Sequence, residues 1–332
     1  MVKSILLTVC ALVSFLIAAL AGYKVIPFLH KLKFGQTIRE VGPTWHQKKQ
    51  GTPTMGGILF IAATLAAAAA LIAIYDLGFD GDAFSANPAS RHALIAGALT
   101  ALCCGGIGFL DDYIKVVKKR NLGLTVVQKL LLQFAVGGGY GLSLYLGGGS
   151  LLYVPFLGWT EFGWWIIPFC LFVVTAMINA TNLTDGIDGL CAGIALPVLL
   201  LFIAVSVGYS GQTFVAAAFF GALLGFLVWN APPARVFMGD TGSLFIGGML
   251  TAVAFGIRQP FLLIPTCIVY ILDMFSVVLQ VGYFKLTHGK RLFKMSPVHH
   301  HFEMCGWKER TIDAVFVGTT MLGCVAAWFL RA

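Results

Sequence analysis

Long apolar runs recur from end to end of this 332-residue chain. Each is long enough to cross a hydrocarbon core of about 30 Å, and no other feature constrains the fold as tightly. Backbone N–H and C=O groups inside a bilayer find no water, so only helices and closed barrels can span it. Barrel strands would alternate polar and apolar residues over segments of about ten, and these runs do not alternate. The fold class is therefore an all-α polytopic membrane protein. The chain is 58% hydrophobic and 11% charged, whereas soluble domains lie near 45–50% and 25%.

The spans are expected at about 4–29, 56–75, 93–110, 128–147, 165–181, 190–208, 214–230, 242–258, 261–284 and 312–331. That gives about ten transmembrane helices in a single integral membrane domain, 1–332, with short linkers and no separate soluble unit. The first run resembles a signal peptide, but its apolar part exceeds the 7–15 residues of such a region, so it reads as the first span. "AATLAAAAALIA" reads as close helix packing. The segment 148–164 has the aromatic and β-branched character of a small hairpin, with Trp159, Trp164 and Trp165 at the interface. The eight cysteines lie mostly in apolar runs and form no Cys-x-x-Cys pair. They read as structural thiols rather than zinc ligands or disulfides.

Counting spans assigns the linkers alternately to two sides. Of the 22 Lys and Arg residues, one side holds only Lys3, Arg91, Arg258 and Arg331, leaving about 18 on the other. Cytoplasmic loops carry that excess, so the basic side is cytoplasmic and both termini face outward. The net charge of +8 is accounted for by this bias and by anionic lipid headgroups, with no nucleic acid needed.

Five polar motifs fall on the cytoplasmic side: "KKQGTPTMGG" (48–57), "DDYIKVVKKR" (111–120), "NLTDGIDGL" (182–190), "NAPPARVFMGDTGSL" (230–244) and "MSPVHHHFE" (295–303). The outer loops carry Asp76, Asp80, Asp82 and Glu161 but no comparable motif. A shared site on the cytoplasmic face follows. Asp111 and Asp112 are expected at the C-terminal edge of the third span, where the helix dipole disfavours anions. They read either as an interfacial acid pair compensated by Lys115, or as a pair held for a divalent cation or acid/base work. Asn182, Asp185 and Asp188, with Gly186 and Gly189, are suited to ribose hydroxyls or a base edge, or they cap the next helix. Gly239, Thr241, Gly242 and Ser243 would present backbone N–H groups at a helix N-terminus, an anion site. There Asp240 opposes a bare phosphate but not one carried with Mg²⁺. Phe237 is placed to stack on a nucleobase or to pack on its neighbours. His299, His300 and His301 fit one metal poorly as consecutive ligands. They suit a phosphate donor or general acid/base role, or a solvated loop. Lys118, Lys119 and Arg120 read as orientation signals. Asp273 lies inside the ninth span, either functional or buried at a helix break, and stands outside the candidate site.

Carboxylates, lysines and helix-terminal N–H groups on one membrane face are the parts of Mg²⁺-assisted phosphoryl transfer. The five motifs together resemble the bacterial phospho-N-acetylmuramoyl-pentapeptide transferase family, within the polyprenyl-phosphate N-acetylhexosamine-1-phosphate transferase superfamily. The likeness runs from about Gly35 to Trp307, and "GTPTMGG", "NLTDG" and "HHHFE" favour this branch over the N-acetylglucosamine-phosphate relatives. It implies ten transmembrane helices in the bacterial cytoplasmic membrane, a cytoplasmic active site, Mg²⁺ and a homodimer. It also implies transfer of phospho-MurNAc-pentapeptide from UDP-MurNAc-pentapeptide to undecaprenyl phosphate, giving lipid I and UMP. By this resemblance the paired acids are Asp111 and Asp112 and the metal-binding acid is Asp240, so the metal set is Asp240, Asp111 and Asp112. The nucleoside pocket falls on Asn182, Asp185, Asp188, Asn230 and Phe237, and the phosphate-region lysines on Lys49, Lys115 and Lys129. Thr54, Gly239 and Ser243 complete the substrate-binding candidates, and the three histidines join the acids as catalytic candidates. Gln50 departs from the pattern, because a basic residue often follows the lysine.

Two mechanisms are open, with Asp111 attacking the pyrophosphate or the lipid phosphate attacking directly. A phosphate monoester is mostly dianionic at pH 7, which favours direct attack. Two other readings are a related UDP-GlcNAc transferase and a transporter of nucleotides or lipid-linked sugars. A transporter would place its site near the midplane between repeated halves, and no repeat is visible here.

Overall fold

The computed structural model describes residues 2–31, 51–79, 88–117, 122–206 and 208–332. Each apolar run falls on a helix. The order is α1 (Val2–Lys31), α2 (Gly57–Gly78), α3 (Pro88–Val117), α4 (Val126–Leu146), β1 (Leu151–Val154), β2 (Gly158–Glu161), α5 (Ile166–Thr184) and α6 (Leu190–Val205). Then come α7 (Ser210–Asn230), α8 (Gly239–Gly256), α9 (Leu263–Thr266), α10 (Ile268–Leu286), α11 (Val298–Met304) and α12 (Glu309–Leu330). Among the described residues, 7 helical stretches are long and apolar enough to cross a membrane, and α6 is a shorter apolar helix.

Local chemistry sets several boundaries. α4 opens with a capping box: Gln128 N donates to Thr125 Oγ1 at 3.2 Å, and Thr125 N to Gln128 Oε1 at 3.0 Å. The ninth apolar run is not one helix but α9 and α10, with a turn at Cys267. Pro265 has no N–H, and Thr266 Oγ1 takes Leu262 O at 2.7 Å, so the backbone ladder is interrupted there. α3 runs past its expected end near 110 to Val117, so Asp111 and Asp112 lie within the helix rather than at its edge. The hairpin forms as expected, with Leu151 opposite Glu161 and Val154 opposite Gly158. Tyr153 N donates to Arg258 O at 2.9 Å and seats the hairpin just beyond α8.

The centre of the bundle is α8, in which every residue from Thr241 to Gly256 is buried. A helix apolar all round belongs in the core. α3 and α5 pack along it, and α7 beyond it is buried along most of its length. Small residues permit the close crossings: a Cβ at Gly247 would lie 2.7 Å from Ile178 Cα of α5, and one at Gly221 of α7 would overlap Ala11 O of α1. By contrast α1, α10 and α12 bury under a third of their apolar windows. The buried Cys10 thiol sits 3.7 Å from both Ala67 O and Phe214 O, between α2 and α7. All eight cysteines are free. The C-terminal ends of α3 and α5 meet the N-terminal ends of α4 and α8 at one end of the bundle, through the contacts described next.

Candidate active site

Asp112 explains why α8 begins where it does. Gly239 opens the helix at φ +70°, and the preceding Met238 offers no side-chain cap. The missing cap comes from α3. Asp112 Oδ1 accepts Asp240 N at 3.2 Å, while Oδ2 accepts Thr241 N at 2.9 Å and Thr241 Oγ1 at 2.8 Å. A carboxylate at the positive end of a helix is stabilised by the dipole and by amide donors. The two helices can come this close because residue 108 is glycine: a Cβ there would overlap Asp240 O and lie 2.6 Å from Thr241 N.

Its neighbour Asp111 is used differently. Its Oδ1 accepts Leu124 N at 2.8 Å, and its Oδ2 pairs with Lys115 Nζ at 2.6 Å. Lys115 also reaches Asp240 Oδ2 at 3.2 Å and Asp112 Oδ1 at 3.8 Å. From α4, Lys129 Nζ donates to Asp240 Oδ2 at 2.7 Å. From α5, Asn182 Nδ2 donates to Asp240 Oδ1 at 2.9 Å and to Ser243 Oγ at 3.0 Å. Ser243 Oγ in turn donates to Gly239 O at 3.1 Å. Thr54 stands beside this cluster: a Cβ at Gly239 would lie 2.7 Å from its Oγ1. The side chains of Asp111, Asp112, Lys115, Lys129, Asn182, Asp240, Thr241 and Ser243, from four helices, thus form one network.

Ligand oxygens of Asp111, Asp112 and Asp240 lie within 4.8 Å of one another. The set fits a small hard cation, which Mg²⁺-type sites bind through one or two carboxylates plus waters and phosphates. Asp112 is the least available, since both its oxygens accept amides of α8. Asp111 and Asp240 are the better ligands, because their present partners include lysines on flexible stems.

A second group of candidates lies in the turn 185–189. Gly186 packs against the histidine segment: a Cβ there would overlap His299 Nε2 and lie 3.0 Å from His300 Nε2. The Asp185 carboxyl is pushed well above the ordinary carboxylate range, first by burial and then by the charges of Asp240, Asp112 and Asp188. A carboxyl raised in the folded state stabilises below its unfolded value, near 4, and loses that contribution as pH rises toward the folded value. Asp185→Asn removes the titration. Its thermal midpoint, relative to the parent protein in detergent, is therefore expected to rise as pH climbs above about 4. A pH-independent difference would contradict the burial argument.

Other candidates hold the chain rather than face the cluster. Asn230 Oδ1 accepts Gly189 N at 3.1 Å, and its Nδ2 donates to Val236 O at 2.9 Å. Asp188 Oδ2 accepts Ala234 N at 2.9 Å. Both side chains thereby fasten the 231–237 loop to the 185–189 turn. Phe237 is half-buried, and its N–H donates to Pro53 O at 2.8 Å. Lys49, with Lys118, Lys119 and Arg120, lies outside the described residues.

The first two histidines bring their Nε2 atoms to the same side of Gly186, with ring centroids 4.2 Å apart, and the third faces elsewhere on α11. His299 is fully buried, with Nδ1 2.8 Å from Asp273 Oδ2. His300 Nδ1 lies 2.5 Å from Glu303 Oε2. His301 turns away, its Nδ1 accepting Lys294 N at 3.1 Å. Thr241 offers its N–H to an anion as expected, the anion being Asp112, whereas the partnerships of Glu303 and Asp273 with the histidines are not evident from the motifs. The one signal for Glu303 is its position three residues beyond His300, on one helix face.

The family described as Glycosyl transferase family 4 is matched over residues 94–257. The signature described as phospho-N-acetylmuramoyl-pentapeptide-transferase signature 1 is matched over residues 49–61. A phospho-N-acetylmuramoyl-pentapeptide-transferase of Clostridium perfringens strain 13 is 44% identical over 319 residues, covering 95% of this chain and 96% of the relative. The chain belongs to the phospho-N-acetylmuramoyl-pentapeptide-transferase family. Other relatives of that name come from Listeria monocytogenes serotype 4b (44% identity, 94% of each chain) and Clostridium kluyveri (42%, 96% of each). The family signature ends inside α2 and includes Thr54, beside the acidic cluster. The wider match, 94–257, runs from within α3 to just past α8 and includes Asp111, Asp112, Lys115, Lys129, Asn182 and Asp240.

Proposed function

We propose that this chain is a multi-pass enzyme of the bacterial cytoplasmic membrane that transfers phospho-MurNAc-pentapeptide from UDP-MurNAc-pentapeptide to undecaprenyl phosphate. The products are lipid I and UMP, in the first membrane step of peptidoglycan synthesis. The observation that carries this reading is the convergence of three carboxylates and two lysines on the N-terminus of α8, in a chain of this family. The basic bias of the linkers favours a cytoplasmic site and outward termini. A homodimer is the expected assembly.

The chemistry follows from the charges. An oxygen of the lipid phosphate attacks the phosphorus attached to the sugar, and the bond from that phosphorus to the oxygen of the departing UMP breaks. Mg²⁺ held by Asp111 and Asp240 would supply neutralisation of the pyrophosphate charge. Lys115 and Lys129 move from the carboxylates toward phosphate oxygens as substrate enters, compensating charge that builds on the leaving group. Asn182 holds the Asp240 carboxylate in place, and Asp112 holds the helix that carries it. Asp185, Asp188, Asn230 and Phe237 border the nucleoside side, with Lys49, Thr54, Gly239 and Ser243 on the phosphate side. No strong base is needed, since the attacking phosphate is already mostly dianionic at neutral pH. Both oxygens of Asp111 have partners, which suits a ligand better than a nucleophile.

The test is release of UMP by purified protein. Release should require undecaprenyl phosphate and a divalent cation, and should fall sharply when UDP-GlcNAc replaces UDP-MurNAc-pentapeptide. Equal use of UDP-GlcNAc, or vesicle uptake of nucleotide without UMP release, would overturn the assignment. A phosphoryl-sugar adduct on Asp111, trapped when lipid is omitted, would replace direct attack with a two-step route.

A further inference from the structure

Asp273 is an acid inside α10, completely buried, and it is not part of the acidic cluster. An ionisable group at such depth is expected to have a specific partner. Its partner is the histidine segment. Oδ2 faces His299 Nδ1 at 2.8 Å, and Oδ1 accepts the backbone N–H of the same residue at 3.2 Å. One carboxylate thus grips His299 twice, fixing where its main chain sits and how its ring is turned. Ser276 Oγ closes back on Asp273 O at 2.6 Å.

The remote ring nitrogen is the informative atom. His299 Nε2 is buried and has no hydrogen-bond partner. It presses against Gly186, in the turn between Asp185 and Asp188, where a Cβ would collide with it. A carboxylate accepts hydrogen bonds and does not donate them, so the Asp273 contact requires the proton on Nδ1. In the neutral ring that leaves Nε2 with a lone pair, directed at the turn that carries Asp185 and Asp188. A buried polar atom without a partner is destabilising, and a ligand group that donates to it would relieve the deficit.

We propose that Asp273 is a positioning residue: it locks His299 in the Nδ1–H tautomer so that Nε2 is presented to the bound substrate as an acceptor, for a hydroxyl group or a transferred proton. This rests on the reading of His299 as part of the active site. His300 also brings its Nε2 near Gly186, but its carboxylate partner, Glu303, lies on its own helix, and His301 faces elsewhere and receives a backbone N–H.

The experiment uses the full-length protein in detergent or nanodiscs. Histidine labelled with ¹⁵N, with the His299 signals identified by their loss in His299→Gln, should show Nδ1 protonated and Nε2 bare at pH 8. In Asp273→Asn the side-chain oxygen can serve only one of the two donors, so the ring is released and the Nε2–H form should appear. UMP release should then lose kcat by about 10- to 100-fold, with KM nearly unchanged and the thermal midpoint close to the parent value. Asp273→Asn combined with His299→Gln should be no slower than His299→Gln alone. If His299→Gln is inactive but Asp273→Asn keeps full kcat, the positioning role is wrong and the active-site reading stands. If His299→Gln is fully active, His299 leaves the site and the proposal goes with it. An Nε2–H signal in the parent protein overturns the proposal with no variant involved. So do losses that simply add in the double variant.

Discussion

Asp240→Asn is expected to reduce UMP release on the order of 10³-fold or more while leaving a folded protein. The expectation combines two effects. The residue is one of the two carboxylates best placed to hold a divalent cation, and loss of metal-borne charge stabilisation removes several kcal/mol from the transition state. It is also the common partner of Lys129 at 2.7 Å and Lys115 at 3.2 Å. The neutral amide would leave both lysines without that counter-charge and misplaced for phosphate. The fold should survive, because Asp112 binds residue 240 through its backbone N–H, which the substitution keeps. Steady-state UMP release and a thermal melt on one preparation check both halves. Activity within tenfold of the parent protein would remove Asp240 from the catalytic group.

Gly108→Ala is the second large effect, and here fold and activity should fall together. A methyl group at residue 108 would run into the backbone of Asp240 and Thr241. No rotamer change can relieve a Cβ clash with main chain, so α8 must move away from α3. Overpacking of this kind typically destabilises by about 1–3 kcal/mol. The same displacement stretches the hydrogen bonds that the Asp240 and Thr241 N–H groups donate to Asp112, and it carries Asp240 away from Lys115. Misplacing a reacting group by about 1 Å can slow a reaction roughly 10²-fold. Gly106→Ala is the control: nothing lies within 4 Å of a Cβ there, and α3 should keep its stability and activity. A Gly108→Ala protein with parental melting and turnover would mean that the α3–α8 crossing is looser than described.

Helix positions were legible in the sequence because a bilayer leaves the backbone so few alternatives. The acidic residues were legible as a group because their motifs share one parity. What periodicity could not supply was the register of one helix against another. "DDYIK" reads as an acid pair at a helix end, yet the helix continues, and its two carboxylates have separate partners on α8 and at Leu124. Nothing local distinguishes Asp111 from Asp112. Asp273 and His299 are 26 residues apart, and their pairing exists only once α10 and α11 have docked. Asn230 and Asp188 read as ligands from their motifs, and the motifs gave no sign of the backbone groups that each also binds in a neighbouring loop. The shared setting of His299 and His300 at Gly186 depends on the packing of α11 against the 185–189 turn, which no local pattern encodes.

The enclosed position of α8 bears on how the protein tolerates its surroundings. Membranes differ in thickness, and a spanning helix answers such differences by tilting, kinking or deforming the lipid nearby. Those adjustments fall on α1, α10 and α12, whose apolar surfaces remain largely outside the packed interior. The helix bearing Asp240 touches protein on every side. Lipid composition can therefore change from one growth condition to another while the spacing of the acids, fixed by protein-on-protein contacts, stays the same.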